Sequence, residues 1–205
     1  YRVLITLPVF SGTGQEEGIW ARLAIPYATK EAGFFFFPEV NDEVVVTFIN
    51  NDPRYPVITG ALYSSANKPK ETPDEKNQFK SIYSKSGINI RFDDEDKILT
   101  IETPGKNSFT LDDKNKSITV KDQNSNSMVL DESGIVIESS KDIKLTAKGN
   151  IDISATEGVN IEATQDVGVD GMNVELNAKT GFTAKGNIKN ATKNCVNQNI
   201  EKTYF

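Results

Sequence analysis

The sequence predicts an all-β protein in which a small closed barrel is followed by a prism that three copies of the chain build together. Three observations lead to this prediction. Residues 1–63 contain five short strand-like stretches, all eight prolines lie at or before Pro104, and apolar residues recur every 8 positions beyond residue 134. Proline-free alternating stretches are typical of long hydrogen-bonded ladders, because proline removes a donor.

Residues 1–63 predict the barrel. Its five strands are Arg2–Leu7, Ile19–Ile25, Gly33–Phe37, Glu43–Ile49 and Pro56–Leu62. No segment has a helical period, and five short strands in about 60 residues suit a closed barrel of OB type, which leaves no sheet edge exposed. The almost wholly apolar fourth strand predicts burial on both faces. Residues 64–78 are polar and contain two prolines, which predicts a linker or an exposed loop.

Residues 79–134 contain a strand–turn–strand unit that repeats every 19 residues. The turns begin at Asp93, Asp112 and Asp131, and the last of them is two residues shorter. Recurring aspartates at turns typically accept hydrogen bonds from turn amides. The acidic run 93–96 has a second interpretation as a Ca²⁺ site, but it lacks the ligand alternation and the glycine of an EF-hand loop. We therefore expect solvated β-turns that lead into a shaft.

Residues 135–189 contain an 8-residue repeat with apolar residues two positions apart, which places them on one face of a strand. One repeat makes one strand, whereas a coil that encloses a core needs about 18–25 residues. Three repeats, one from each of three chains, would complete one layer of a triangular prism. The predicted trimer core is Ile135, Ile137, Ile143, Leu145, Ile151, Ile153, Val159, Ile161, Val167, Val169, Val174 and Leu176.

The last two of these residues have even numbers, whereas the earlier ones are odd, so one repeat has lost a residue. A one-residue slip would turn the apolar face outward unless the chain absorbs it locally. We predict an irregular corner at Gly171, Met172 and Asn173, where glycine permits unusual backbone angles, with Val174 and Leu176 still facing inward. Residues 190–205 lie beyond the repeat and predict an atypical terminal cap or a frayed end.

Composition excludes several function classes. With 23 basic and 29 acidic residues the chain carries a net charge of −6, which disfavours nucleic-acid binding. Histidine is absent and Cys195 is the single cysteine, so histidine-dependent catalysis, an intrachain disulfide and a multi-cysteine zinc site are excluded. No membrane-length apolar run or signal-peptide layout is present. We expect a non-enzyme with no catalytic residue, cofactor or metal, and, since Tyr1 is not methionine, further residues upstream.

The residues from Gly33 to Val46, then Asn51 to Ile58 and Gly60 to Tyr63, resemble the signature of VgrG-type spike proteins of contractile injection systems. The resemblance, shared with phage baseplate spikes, implies an OB-fold followed by an intertwined three-chain β-helix. The family usually has glycine where Asn41 and Asn51 stand. Asparagine also tolerates left-handed turns, so we expect the fold to persist.

The resemblance also implies a function and partners. A homotrimeric needle would be driven by sheath contraction through a target membrane, with baseplate hub and inner-tube proteins behind it and a small PAAR-like protein capping its tip. It would assemble in the bacterial cytoplasm or in a phage-tail-like particle, and would then be secreted or injected, with no nucleic acid involved.

Two other functions fit parts of the sequence. A carbohydrate-active β-helix enzyme would use paired carboxylates, although a narrow aliphatic prism offers no cleft for a sugar. An OB-type binding module with a trimerising stalk would stack bases or sugars on Phe34–Phe37. Residues 1–63 hold four basic and seven acidic residues, which disfavours binding to phosphates. In the spike interpretation, one pair of these phenylalanines fills the barrel and the other packs on a neighbouring subunit.

Overall fold

A computed structural model describes residues 1–7 and 18–183. Apart from one 3-10 turn at Ile49–Asn51, the secondary structure of this part is β throughout, which confirms the predicted class. The chain divides into two units, the first spanning Tyr1–Leu145 and the second beginning at Thr146. Across the described ranges, no helix is long and apolar enough to cross a membrane. The predicted terminal segment 190–205 and Cys195 lie outside the described residues.

The first sheet has four strands in the order β1-β2-β6-β5, and a short hairpin, β3 and β4, stands apart from it. The strands, in chain order, are β1 Arg2–Ile5, β2 Ile19–Leu23, β3 Ala28–Thr29, β4 Ala32–Gly33, β5 Glu43–Phe48 and β6 Pro56–Leu62. Strands β2 and β6 are parallel, whereas β1–β2 and β5–β6 are antiparallel. The small core of this sheet consists of Ile5, Ala21 and Ile58.

Three expectations for residues 1–63 are wrong in the described part of the chain. The four-stranded ladder is open instead of closing into a barrel. The predicted strand Gly33–Phe37 is reduced to β4 Ala32–Gly33, because after the Phe34 N–H, which donates to the Tyr27 carbonyl at 3.0 Å, residues 35–37 have no ladder partner among the described residues. Strand β5 lies at the sheet edge, so its side chains alternate between exposed and half-buried instead of being buried on both faces.

The phenylalanine run also differs from the expectation that one pair fills a barrel. The rings pair two residues apart, with centroid separations of 6.5 Å for Phe34–Phe36 and 4.9 Å for Phe35–Phe37. The first three phenylalanines are exposed and only Phe37 is half-buried. This aromatic surface therefore lies outside the core of the single chain.

The second sheet is an antiparallel meander of seven strands, each paired with the next along the chain. Its strands are β7 Phe79–Tyr83, β8 Asn89–Asp93, β9 Ile98–Glu102, β10 Ser108–Asp112, β11 Ser117–Lys121, β12 Ser127–Asp131 and β13 Gly134–Glu138. The 19-residue unit is confirmed as the hairpins β8–β9, β10–β11 and β12–β13. The last turn holds two residues, whereas the two earlier turns hold four.

The segment 64–78 contains no strand and lies against the first strands of this meander. Glu71 accepts a hydrogen bond from Arg91 at 3.0 Å, and the Arg91 guanidinium lies 3.9 Å from the centre of the Phe79 ring. Lys76 binds Glu95 at 3.0 Å. These contacts attach the predicted linker to the sheet, while the domain boundaries stay predictions.

The motif around Asp52 is a turn between β5 and β6. The Asp52 carboxylate accepts hydrogen bonds from the Arg54 backbone N–H at 3.0 Å and from its guanidinium at 2.7 Å, and this contact lowers the pKa of Asp52. Asn41 and Asn51 have φ angles of 76° and 56°, so asparagine does adopt the left-handed geometry at both positions. The sequence interpretation of these two residues is confirmed.

The left-handed geometry of Asn41 yields a test by substitution. Asn41→Val should lower the free energy of unfolding of the first sheet by about 1–2 kcal/mol, because a β-branched residue is disfavoured at positive φ. Asn41→Gly should leave it unchanged or slightly higher. Thermal unfolding followed by circular dichroism measures both. Equal midpoints for the two variants would contradict the importance of this turn geometry.

Candidate assembly surface

One face of the meander carries two rows of apolar residues that are cross-strand partners. We call this surface the apolar face. The pairings Leu99–Leu111 and Ile101–Phe109 set its register, and the same alternation continues on both sides. One row is Phe92, Leu99, Leu111, Ile118, Leu130 and Ile135, and the other is Ile82, Ile90, Ile101, Phe109, Val120, Met128 and Ile137. Only Ile135 and Ile137 were predicted as core residues, although the 19-residue repeat carried the same signal.

The apolar face of this sheet is only partly covered in the single chain, and none of its side chains is fully buried. Five apolar side chains in its middle strands are 36–43% exposed, namely Ile101, Phe109, Ile118, Val120 and Met128. The opposite face of the sheet carries threonines that alternate in sequence with the apolar residues. Three of them are half-buried, namely Thr100, Thr110 and Thr119. Full burial of one large aliphatic or aromatic side chain contributes about 1.5–3 kcal/mol, so a large stabilisation is left unused by the single chain.

From residue 142 the chain runs in six-residue segments that form neither helix nor paired strand and are separated by bends. The segments are 142–147, 150–155, 158–163, 166–171 and 173–178. The second residue of each is 53–57% exposed and the fourth 69–73% exposed, a pattern that holds for Ile143, Leu145, Ile151, Ile153, Val159, Ile161, Val167, Val169, Val174 and Leu176. Across these described segments, no backbone hydrogen bond joins one segment to another.

The bends explain the change of parity in the sequence. Two-residue bends lie at 148–149, 156–157 and 164–165, whereas the next bend is the single residue Met172. The missing residue is therefore lost from a corner, and Val174 and Leu176 keep the second and fourth places of their segment. Gly171 takes the sixth place, which alanine holds in the earlier segments. Whether these residues face inward in an assembly stays a prediction.

The aspartates of the hairpin turns bind backbone amides. Asp93 accepts the N–H groups of Glu95 and Asp96 at 3.1 Å, and Asp112 accepts that of Asn115 at 2.9 Å. The backbone hydrogen bond from Asn115 lowers the pKa of Asp112, and the hydroxyl of Ser133 lowers that of Asp131. These carboxylates fix the turns.

The acidic run 93–96 is also paired with lysines. Lys80 binds Asp94, Lys76 binds Glu95 at 3.0 Å, and Lys114 binds Asp96 at 2.8 Å. Within residues 1–7 and 18–183, no group of three or more carboxylate or thiol side chains is arranged to hold a metal ion. Ion pairing therefore accounts for this run.

An open cleft of about 800 Å³ lies beside Phe34 and Phe36 in the first sheet. Its charged lining residues are Asp42 and Lys68. One carboxylate does not supply the pair that glycoside hydrolysis uses, so this cleft does not support the enzymatic alternative.

Two known protein domains match this chain, one in each part. Residues 1–63 match the type VI secretion system/phage-baseplate injector OB domain, and residues 98–180 match the phage baseplate V C-terminal trimerisation domain. The second match spans β9–β13 and all five segments. The segments and the part of the apolar face on β9–β13 thus lie within a domain described by its trimerisation.

Relatives include three named proteins. The type VI secretion system spike protein VgrG3 of Vibrio cholerae serotype O1 is 37% identical over 68 residues, which are 33% of this chain and 7% of that protein. The spike protein VgrG1a of Pseudomonas aeruginosa is 33% identical over 91 residues, 42% of this chain and 14% of that protein.

The actin cross-linking toxin VgrG1 of Vibrio cholerae is 35% identical over 68 residues, 33% of this chain and 6% of the toxin. The matches therefore span between 6% and 14% of these relatives' lengths.

The lowered pKa values of Asp112 and Asp131 give a pH dependence with a defined sign. A carboxylate whose folded pKa lies below its ordinary value of about 3.9 stabilises the fold above that value, and this contribution is lost as pH falls through the folded pKa. Thermal midpoints of the meander should therefore fall below about pH 4. Asp112→Asn should flatten this acid limb while leaving the midpoint at pH 7 similar or slightly lower. An unchanged acid limb in the variant would contradict the role of Asp112.

The position of Val174 within its segment yields a second test. Val174→Asp should disrupt assembly, because it places a charge in the apolar column, whereas Glu175→Lys should leave assembly intact. A strict 8-residue register would place residue 175 in that column and predict the reverse. Light scattering of the two variants distinguishes the registers, and an intact Val174→Asp oligomer would overturn the shortened corner.

Proposed function

The chain belongs to the family of VgrG and phage-baseplate spike proteins, and we propose that it forms part of the homotrimeric, membrane-puncturing spike of a contractile injection system. The observation that carries the proposal is the run of five six-residue segments whose apolar side chains, at the second and fourth places, are more than half exposed in one chain. An isolated chain would leave these side chains and the backbone polar groups in water. Two further copies would bury the side chains and would provide backbone hydrogen-bond partners for the segments.

Three is the number of copies that the segment length favours. A bend after every six residues would turn the chain around a corner, and three six-residue sides would form a closed triangular layer. Each side would come from a different chain, with the second, fourth and sixth residues pointing inward. The match of residues 98–180 to a trimerisation domain supports the same number.

The proposed action is mechanical. Strands whose hydrogen-bonded neighbours belong to other chains cannot peel away without breaking interchain ladders, so the prism would resist bending and unravelling under load. Sheath contraction would drive it through the target envelope. Outward places in the segments carry polar residues such as Lys144, Asp152 and Glu162, which would keep the surface hydrated.

Partners follow from the same proposal. The matched OB domain would join the shaft to the baseplate hub and inner tube, and the last layer of the prism would present open strand edges. Open edges favour uncontrolled pairing, so a small PAAR-like tip protein would cover them. The spike would assemble in the cytoplasm or in a phage-tail-like particle before secretion or injection. The proposal assigns no catalytic residue, metal or cofactor.

Size-exclusion chromatography with light scattering tests the proposal. The expected mass is three times the 22.6 kDa of the chain, and it should persist on dilution because the interface is intertwined. A monomeric mass at micromolar concentration would overturn the proposal. A dimer would overturn the triangular layer.

Substitutions in one segment test which face is buried. Ile151→Asp or Ile153→Asp should abolish the trimer, because each layer would bury three unpaired carboxylates near the axis. Asp152→Lys, between them on the opposite face, should leave the trimer intact. Light scattering of the three variants measures the outcome. Equal effects of the substitutions at 152 and 153 would contradict the assigned inward face.

A further inference from the structure

The shortened last turn of the meander leaves a gap in an otherwise regular stack. At the earlier turns, Asp113 donates its backbone N–H to the carbonyl of Lys97 at 3.3 Å and Lys114 binds Asp96, so consecutive four-residue turns contact each other. The third turn is only Glu132 and Ser133. Beside it lies an open cleft of about 400 Å³ whose lining includes Leu111, Asp113, Lys116, Ile118, Leu130 and Asp131.

The chain leaves the meander at the opposite end of β13, where it bends at Ser140 and Lys141. This bend is held in place. The Ser140 hydroxyl donates to the Asn124 carbonyl at 2.8 Å, and its backbone N–H donates to the Asn126 side chain at 3.2 Å. The cleft and the bend are therefore separated by the five residues of β13, a distance of about 17 Å along an antiparallel strand.

Threefold symmetry brings the two features together between chains. In a prism with one meander on each side, a chain that ends its β13 at a corner continues onto the next side. That side belongs to the next chain, whose β13 begins at the same corner with its own Glu132-Ser133 turn. The bend of one chain thus arrives at the short turn of its neighbour, where a four-residue turn would occupy more of the corner.

From this geometry we propose that the cleft beside Glu132-Ser133 is a socket for the Ser140-Lys141 bend of a second copy of this chain. The inference rests on the proposed trimer and names the contact at which one chain crosses onto the next. Charge supports the pairing: three aspartates and one lysine line the cleft, Glu132 in the adjoining turn is exposed, and the incoming bend carries Lys141. The apolar face continues into Ile135 and Ile137 beside the socket.

Paired cysteines test the socket directly. In a Cys195→Ser background, Ser133→Cys with Lys141→Cys should be joined by a short bismaleimide into a covalent trimer on a denaturing gel. A link within one chain is excluded, because β13 separates the two positions by about 17 Å. The control, Asn124→Cys with Ser140→Cys, joins residues in contact within one chain and should give a cross-linked monomer.

Light scattering of the same proteins before cross-linking separates the outcomes. A trimeric mass with a covalent trimer supports the socket. A trimeric mass with no interchain product overturns the socket and leaves the proposed function standing, whereas a monomeric mass overturns both.

A charge exchange gives an independent readout. Glu132→Lys should make trimer dissociation several-fold faster at low ionic strength, and Lys141→Glu added to it should restore the original rate, because the two charges exchange places. The restoration should weaken in high salt, where exposed ion pairs are screened. Failure of the double variant to recover at low salt would count against the pairing of these residues.

Discussion

An apolar surface that one chain does not bury is the constraint on which the rest of this structure depends. Strand alternation places aliphatic and aromatic side chains on one face of the meander, and the six-residue segments repeat the pattern at their second and fourth residues. Side chains of this size stabilise the folded state when they are removed from water. The single chain therefore leaves a surface that further copies would complete in the proposed trimer, and a domain described by its trimerisation matches residues 98–180.

Around that surface, short-range polar contacts fix the geometry of the ends. Asp93 and Asp112 bind the amides of their own turns, and lysines from neighbouring segments neutralise the acidic run that contains Asp94 and Asp96. These charges are exposed, so each pair contributes little to stability, and their role is to hold the turns in one conformation. The bend at Met172 likewise leaves the apolar pattern unchanged. It is one residue shorter than the earlier bends, and the segments on either side keep apolar residues at their second and fourth places.

The sequence predicted the features that local patterns determine. The 19-residue hairpins were evident because strand alternation and turn aspartates are encoded within a few residues, and the left-handed Asn41 followed from the glycine that the family usually has there. The failures involved pairing over long distances. Gly33–Phe37 has strand-like composition but no continuous ladder, and the apolar run of β5 gave no sign that it lies at a sheet edge. The predicted core omits the rows on β7–β12, because only the 8-residue repeat was interpreted as core.

Hydrogen–deuterium exchange of residues 142–178 measures whether other copies of the chain supply backbone hydrogen bonds to these segments. These segments make no backbone hydrogen bonds to one another in the described chain, so slow exchange of their amides requires ladders with other copies. We expect protection as strong as that of β9–β12, alternating with fast exchange at the bends. Exchange at the rate of an unstructured peptide throughout these segments, in protein at micromolar concentration, would contradict it.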